Sequence, residues 1–354
     1  MIKINQIIFF GISYRVLIYI ILISYPFFHS SFGNISPLTH QGFADFKFYL
    51  CFGESNEIIK NKYGDCVFNL NQILNNYKNV LFFNFTEIDN RYPGPIYPFL
   101  IFITNYSENN VLLFSLMIFS FECIAYIFWA RYFYFNHNKI TSFLFSFMPI
   151  PLYFGFFHSS DVVFYFAFTL LYMHIKKFND KFTYGILLAF LTFLRPASFI
   201  FIFSILLFLL GKKKKTYYKI TLTFLFISLF YYAPYFFYET SNANYENFIE
   251  LEQFGYLINK IIQTLFNIPL LMGFIPSDSG NFYFYMLRCA CGTIFLIGFM
   301  NLLFSREKSL DFIICILLVI FTAIFFFPAY RYLLPITPIL FLYFSKIFLR
   351  KKIN

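Results

Sequence analysis

Four ionisable residues stand where neither an apolar segment nor a solvated loop requires a charge: Asp45, Asp161, Arg195 and Arg331. Asp45 lies in Asp45-Phe46-Lys47-Phe48-Tyr49-Leu50, shortly after the first apolar stretch. A carboxylate there can take a proton from a hydroxyl if it is within hydrogen-bond reach and ionised. It can equally cap a surface helix, because Asp is a favoured N-cap. Asp161 closes His158-Ser159-Ser160-Asp161 at the start of a later apolar stretch. It reads either as a cap or as a second carboxylate at the mouth of the same cavity. Arg195 sits in Leu194-Arg195-Pro196, and Arg331 in Tyr330-Arg331-Tyr332-Leu333-Leu334-Pro335. A guanidinium grips a phosphate through two parallel hydrogen bonds. It also pairs with a nearby carboxylate, or lets its stem lie along apolar surface with the charge in water.

A fifth charge, Arg15, interrupts the first apolar stretch, and Glu122 is the one acid inside a predicted span. Each is the other's candidate partner. Cys289 and Cys291 form a lone C-x-C, and Cys123 and Cys315 lie in apolar runs as small packing residues. Cys51 and Cys66 share a polar loop, where an oxidising compartment permits a disulfide. The histidines lack zinc-ligand spacing, and no phosphate-binding or dinucleotide loop is present. Asn34, Asn84 and Asn105 open glycosylation sequons that matter only in a eukaryotic chain.

The elements that must position these residues follow from composition. Of the 354 residues, 59% are hydrophobic and 12% charged, against about 25% charged in a soluble domain. The mean hydropathy is +0.65. No soluble fold of this length hides so much apolar surface, so the expectation is an all-α, polytopic transmembrane protein. The 60 Phe and 29 Tyr read as the imprint of an AT-rich genome, not as stacking cages. The net charge of +10 sits in short loops between apolar runs, which argues for membrane topology and against nucleic acid. A cleavable signal peptide is not expected, since Arg15 breaks the first run and no small-residue cleavage site follows.

A span needs about 20 apolar residues. The first runs from Ile7 to Phe28, and a polar loop over 29–110 follows, with surface helices expected between Phe46 and Tyr77. Tyr97 to Thr104 is too short to span. Further spans are predicted at Val111–Ala130, Ile140–Phe157, Val162–Ile175, Phe182–Leu194, Ala197–Leu210 and Ile220–Tyr238. A second large polar segment covers 239–281, and Phe282–Phe304, Phe312–Phe327 and Leu333–Phe348 complete about ten spans. Pro196 predicts a bend or tight hairpin between the two compressed spans that flank it. Alternation puts the lysine-rich loops on one side and the acidic loops on the other. The positive-inside rule then makes both termini cytoplasmic. Arg195 and Arg331 fall on the acidic, outer side, against that bias.

Taken in order, several segments resemble the GT-C superfamily of integral membrane glycosyltransferases. That group includes polyprenyl-phosphate-sugar-dependent mannosyltransferases and the aminoarabinose-transferase type. The resemblance is carried by Asp45 after the first span and by the Pro-rich Arg91-Tyr92-Pro93-Gly94-Pro95-Ile96-Tyr97-Pro98. Ser159-Ser160-Asp161, Leu191-Thr192-Phe193-Leu194-Arg195-Pro196 and Tyr330-Arg331-Tyr332-Leu333-Leu334-Pro335 follow. The chain departs from the family in having a single Asp45 where an acidic pair is common, with Asp89 far downstream.

The resemblance implies one GT-C-like transmembrane domain over residues 1–354. It implies transfer of a sugar from a polyprenyl-phosphate donor to a glycan, lipid or protein acceptor on the outer side. Asp45 becomes the general base. Arg331 and Arg195 hold the lipid phosphate, and Tyr49, Arg91 and Asp161 join them in binding substrate. No cofactor or metal is implied. The expected location is a bacterial inner membrane, or the endoplasmic reticulum membrane for a eukaryotic chain. A polysaccharide polymerase, a lipid or glycan transporter and a structural membrane subunit are the rival readings.

Overall fold

A computed structural model describes residues 3–24, 27–29, 33–35, 78, 96–104, 111–148, 160–195, 197–241, 268, 282–305, 309–325 and 330–348. Apart from one short hairpin the described chain is helical. In order it forms α1 (Ile4–Ser24), a hairpin of β1 (Phe27–His29) and β2 (Gly33–Ile35), α2 (Ile96–Ile103), α3 (Val111–Asn136) and α4 (Lys139–Phe145). Then come α5 (Ser160–Lys177), α6 (Lys181–Thr192), α7 (Ser198–Leu210), α8 (Lys215–Ser241), α9 (Phe282–Phe304), α10 (Leu310–Phe325), a 3-10 helix (Tyr330–Ile336) and α11 (Thr337–Phe348). The strands pair antiparallel with Phe28 opposite Asn34. The surface helices expected between Phe46 and Tyr77 and the acidic segment 242–267 lie outside the described residues.

The buried core is mainly apolar, but α1 and α8 also bury polar groups while exposing large apolar side chains. On α1 the buried positions are Ile7, Gly11, Arg15 and Tyr19, one turn apart. Its opposite face exposes Phe9, Phe10, Leu17 and Ile20, with Phe9 67% exposed. On α8 the buried stripe is Tyr217, Thr221, Leu225, Ser228 and Tyr232, while Phe226 and Phe230 are exposed. The inward hydroxyls of α8 are used. Tyr184 and Thr221 share a hydrogen bond of 2.5 Å, Ser198 and Ser228 one of 3.3 Å, and Tyr232 donates to the Thr192 carbonyl at 3.0 Å. Among the described residues, α1 and α3 are long and apolar enough to cross a membrane. Several of the other apolar helices are shorter.

The core is built around α5, which is buried over most of its circumference. It packs against α3, α6 and the 3-10 helix. Trp129 on α3 donates to Thr169 on α5 at 2.9 Å. Helices α9 and α11 cross closely. A Cβ on Gly298 would run into the backbone carbonyl of Leu340, and Asn301 donates to the Tyr343 carbonyl at 2.7 Å.

Prolines coincide with breaks in two of the expected spans. The span expected over Ile140–Phe157 begins as α4 but leaves α-helical geometry after Phe145. Ser146, Phe147 and Met148 make i to i−3 bonds instead. The reason is Pro149, which offers no N–H to the Phe145 carbonyl and disfavours helical geometry at Met148. The expected span Leu333–Phe348 likewise divides. Its first part is the 3-10 helix containing Pro335, and α-helical geometry starts at Thr337.

Candidate functional site

The chain breaks between α6 and α7, and the break creates hydrogen-bonding groups with no helical partner. In a continuous helix the amide of residue 196 would satisfy the Thr192 carbonyl, but Pro196 has none. That carbonyl instead accepts from the hydroxyls of Ser198 (3.2 Å) and Tyr232 (3.0 Å). The next carbonyl, Phe193, accepts the amide of Ile96 at 3.2 Å. Ile96 opens α2, directly after the Pro93-Gly94-Pro95 segment. The break therefore docks the end of the Pro-rich segment two residues from Arg195.

Arg195 lies in that break, and its Nη1 pairs with Oδ1 of Asp161. Asp161 sits in the first turn of α5, where the helix dipole favours a carboxylate. The side chains are 14% and 7% exposed, so the pair is mostly withdrawn from water yet lies at its edge. The 3-10 helix that carries Arg331 packs against the same α5. Leu333, Leu334 and Ile336 anchor it by full burial. The Arg331 side chain itself lies outside the described residues, as do Asp45, Tyr49 and Arg91. The structure thus joins Asp161 to Arg195 directly. It also brings the elements after Arg91 and around Arg331 onto the helices that bear this pair.

A second polar centre lies within the packed helices. Arg15 Nε reaches both carboxylate oxygens of Glu122, at 3.1 and 3.0 Å, and both side chains are fully buried. Arg15 Nη1 donates to the carbonyls of Gly11 (3.2 Å) and Ser146 (2.7 Å). The Ser146 carbonyl is available because α4 has ended. The guanidinium stacks over Tyr126 at 3.8 Å, and the Tyr126 hydroxyl donates to the Ile7 carbonyl at 3.0 Å. Gly11 is required beneath it, since a Cβ there would overlap the Tyr126 ring. The partnership expected for Arg15 and Glu122 is present. Among the described residues, Arg15 Nη2 and the buried Tyr165 hydroxyl have no hydrogen-bond partner.

At the far end of α5, Lys176 Nζ and the Tyr172 hydroxyl both meet Asp311 Oδ1, at 3.0 and 2.7 Å. Sequence reasoning did not single out Asp311. Its signal was an acid opening an apolar run on the lysine-rich side. The two ion pairs of α5 are fifteen residues apart in sequence, about 22 Å along the axis. Among the described residues no three His, Cys, Asp or Glu side chains gather into a possible metal site.

No protein-family model, curated protein or solved structure matches the chain.

Proposed function

We propose that the chain is a polytopic membrane protein that transfers a sugar from a polyprenyl-phosphate-linked donor. The membrane reading is supported by α1 and α8, which bury Arg15 and hydroxyls while presenting Phe, Leu and Ile outward. Water would reverse that arrangement, and a hydrocarbon solvent favours it. The observation that carries the transferase reading is the Asp161–Arg195 pair, at a helix break shared with the Pro-rich lead-in and beside the element of Arg331. These are the segments whose order resembles the GT-C enzymes.

In this reading the acceptor oxygen attacks the anomeric carbon of the donor, and the bond from that carbon to the phosphate oxygen breaks. Asp45 takes the acceptor proton. Negative charge grows on the departing polyprenyl phosphate and is met by Arg195 and Arg331, a form of electrostatic stabilisation that often dominates catalysis. Asp161 acts as a positioning residue: it fixes the direction of the Arg195 fork. Tyr49 and Arg91 complete the substrate contacts. A single displacement of this kind inverts the anomeric centre. The protein belongs to a bacterial inner membrane, or to the endoplasmic reticulum of a eukaryote, with both termini cytoplasmic.

The test is mass spectrometry of glycolipids and envelope glycans from cells with and without the protein, and with Asp45→Asn. Loss of one sugar, reproduced by a well-folded Asp45→Asn variant, is the expected result. Shortened chains with every sugar retained would mark a polymerase. An unchanged glycan profile would remove the transferase reading.

A further inference from the structure

Lysines gather at the end of the helices where α5 stops. The turn from α5 to α6 carries Lys177 and Lys181, the turn from α7 to α8 carries the Lys212–Lys215 run, and Lys219 follows on α8. All are exposed, and none is in an ion pair among the described residues. Lys176 is the neighbour that is neutralised, by Asp311.

The two turns are locked to each other. Phe178 has φ 47°, in the left-handed region, where a side chain crowds its own backbone. Contacts from the neighbouring turn hold it there. Its ring meets Tyr217 edge-on at 5.2 Å, and Lys214 Nζ lies over it at 5.3 Å. The Phe178 carbonyl accepts from the Tyr217 hydroxyl at 3.4 Å. Asp180 is the one acid within these turns, and it is committed to capping α6. Its Oδ1 accepts the Thr183 amide at 2.7 Å, and that bond holds the carboxyl below its usual pKa. Its backbone carbonyl lies 2.7 Å from His174 Nε2. Seven lysines therefore face one carboxylate on a fixed platform. Beside them in the chain stand Phe182 and Leu210, 79% and 61% exposed.

We propose that these two turns form a docking surface for anionic phospholipid headgroups. Exposed apolar side chains next to a lysine belt match the boundary between acyl chains and phosphates. Lysine stems lie along the apolar layer and carry their charge to the headgroups. The proposal rests on the membrane reading of the previous subsection and is independent of the transferase reading. Each such lysine strengthens attraction to an anionic membrane surface about fivefold, and salt weakens it.

The test uses the full chain in nanodiscs of phosphatidylcholine with one-fifth phosphatidylglycerol. Fluorescent phosphatidylglycerol or phosphatidylcholine reports which lipid gathers at a label on the α7–α8 turn. Enrichment of phosphatidylglycerol is expected, with about a 25-fold loss of affinity in Lys213→Gln/Lys214→Gln and no displacement by millimolar inorganic phosphate. Unfolding of the variant in pure phosphatidylcholine checks its fold, and Lys213→Arg/Lys214→Arg should retain binding. Equal enrichment in wild type and Lys213→Gln/Lys214→Gln would overturn the proposal. So would displacement of the lipid by a short oligonucleotide, which would mark a nucleic-acid surface. A chain that fails to enter nanodiscs refutes the membrane reading; one that enters without lipid preference refutes this inference alone.

Discussion

Removing either partner of the Arg15–Glu122 pair should damage the protein far more than removing both. Glu122→Leu leaves a guanidinium with no counter-charge among fully buried surroundings. Arg15→Met leaves a buried carboxylate in the same position. Breaking a buried pair from one side costs about 3–5 kcal/mol, whereas exchanging both partners for apolar side chains of similar volume is often neutral. The double variant keeps one deficit. The Ser146 carbonyl loses its 2.7 Å bond from Arg15, at about 1 kcal/mol. The Gly11 carbonyl keeps the helical bond that α1 supplies. The expected values are about 3–5 kcal/mol for each single variant and about 1–2 kcal/mol for the double. The coupling is then at least about 4 kcal/mol, by the logic of a double-mutant cycle.

Denaturant unfolding in mixed micelles reads this directly. Trp129 is the single tryptophan of the chain, is fully buried, and lies two turns after Glu122 on α3. Additive single and double variants would refute the reasoning. So would single variants within 0.5 kcal/mol of wild type, roughly the effect of a neutral surface change.

Further outcomes follow from other parts of the chain. Gly298→Ala should destabilise by about 1–3 kcal/mol, because its Cβ meets the rigid Leu340 backbone. Gly185→Ala, with nothing within 4 Å of its Cβ, should be neutral or stabilising in the same unfolding assay. Asp161→Asn should cost about 2–4 kcal/mol, toward the lower part of the range for a buried pair because both groups touch the edge of solvent. Under the proposed transferase reading it should also cut sugar transfer by roughly tenfold or more, and Arg195→Lys should not retain transfer, since an ammonium lacks the planar fork. A phosphatase fusion after Lys215 should stay inactive and a fluorescent-protein fusion there should glow; an active phosphatase would reverse the orientation.

Helix positions were largely legible in the amino-acid sequence. The span read as Phe282–Phe304 coincides with α9, and Val162–Ile175 lies two residues inside α5 at each end. Apolar runs of that length have no other regular structure that satisfies their backbone away from water. The charges inside those runs were informative for the same reason. Arg15 and Glu122 are 107 residues apart, yet a charge is costly enough in an apolar run to predict a partner. Local chemistry marked one break, since Pro196 removes a specific amide; the span read from Ile140 to Phe157, through Pro149, instead leaves α-helical geometry after Phe145.

What satisfied the carbonyls left open at the breaks was decided only by tertiary packing. The Thr192 carbonyl found Tyr232 forty residues later, the Phe193 carbonyl found Ile96, and the Ser146 carbonyl found Arg15. Nothing local distinguishes these partners from other hydroxyls, amides or cations. The same holds for Asp161 and Arg195. From their own neighbours each had a bland and a chemical reading, and only the α6–α7 break puts the guanidinium beside the first turn of α5. A run of apolar residues specifies that a helix forms. Which carboxylate meets which arginine depends on how the helices cross, and that is set by side-chain shape and orphaned hydrogen-bonding groups summed over the whole fold.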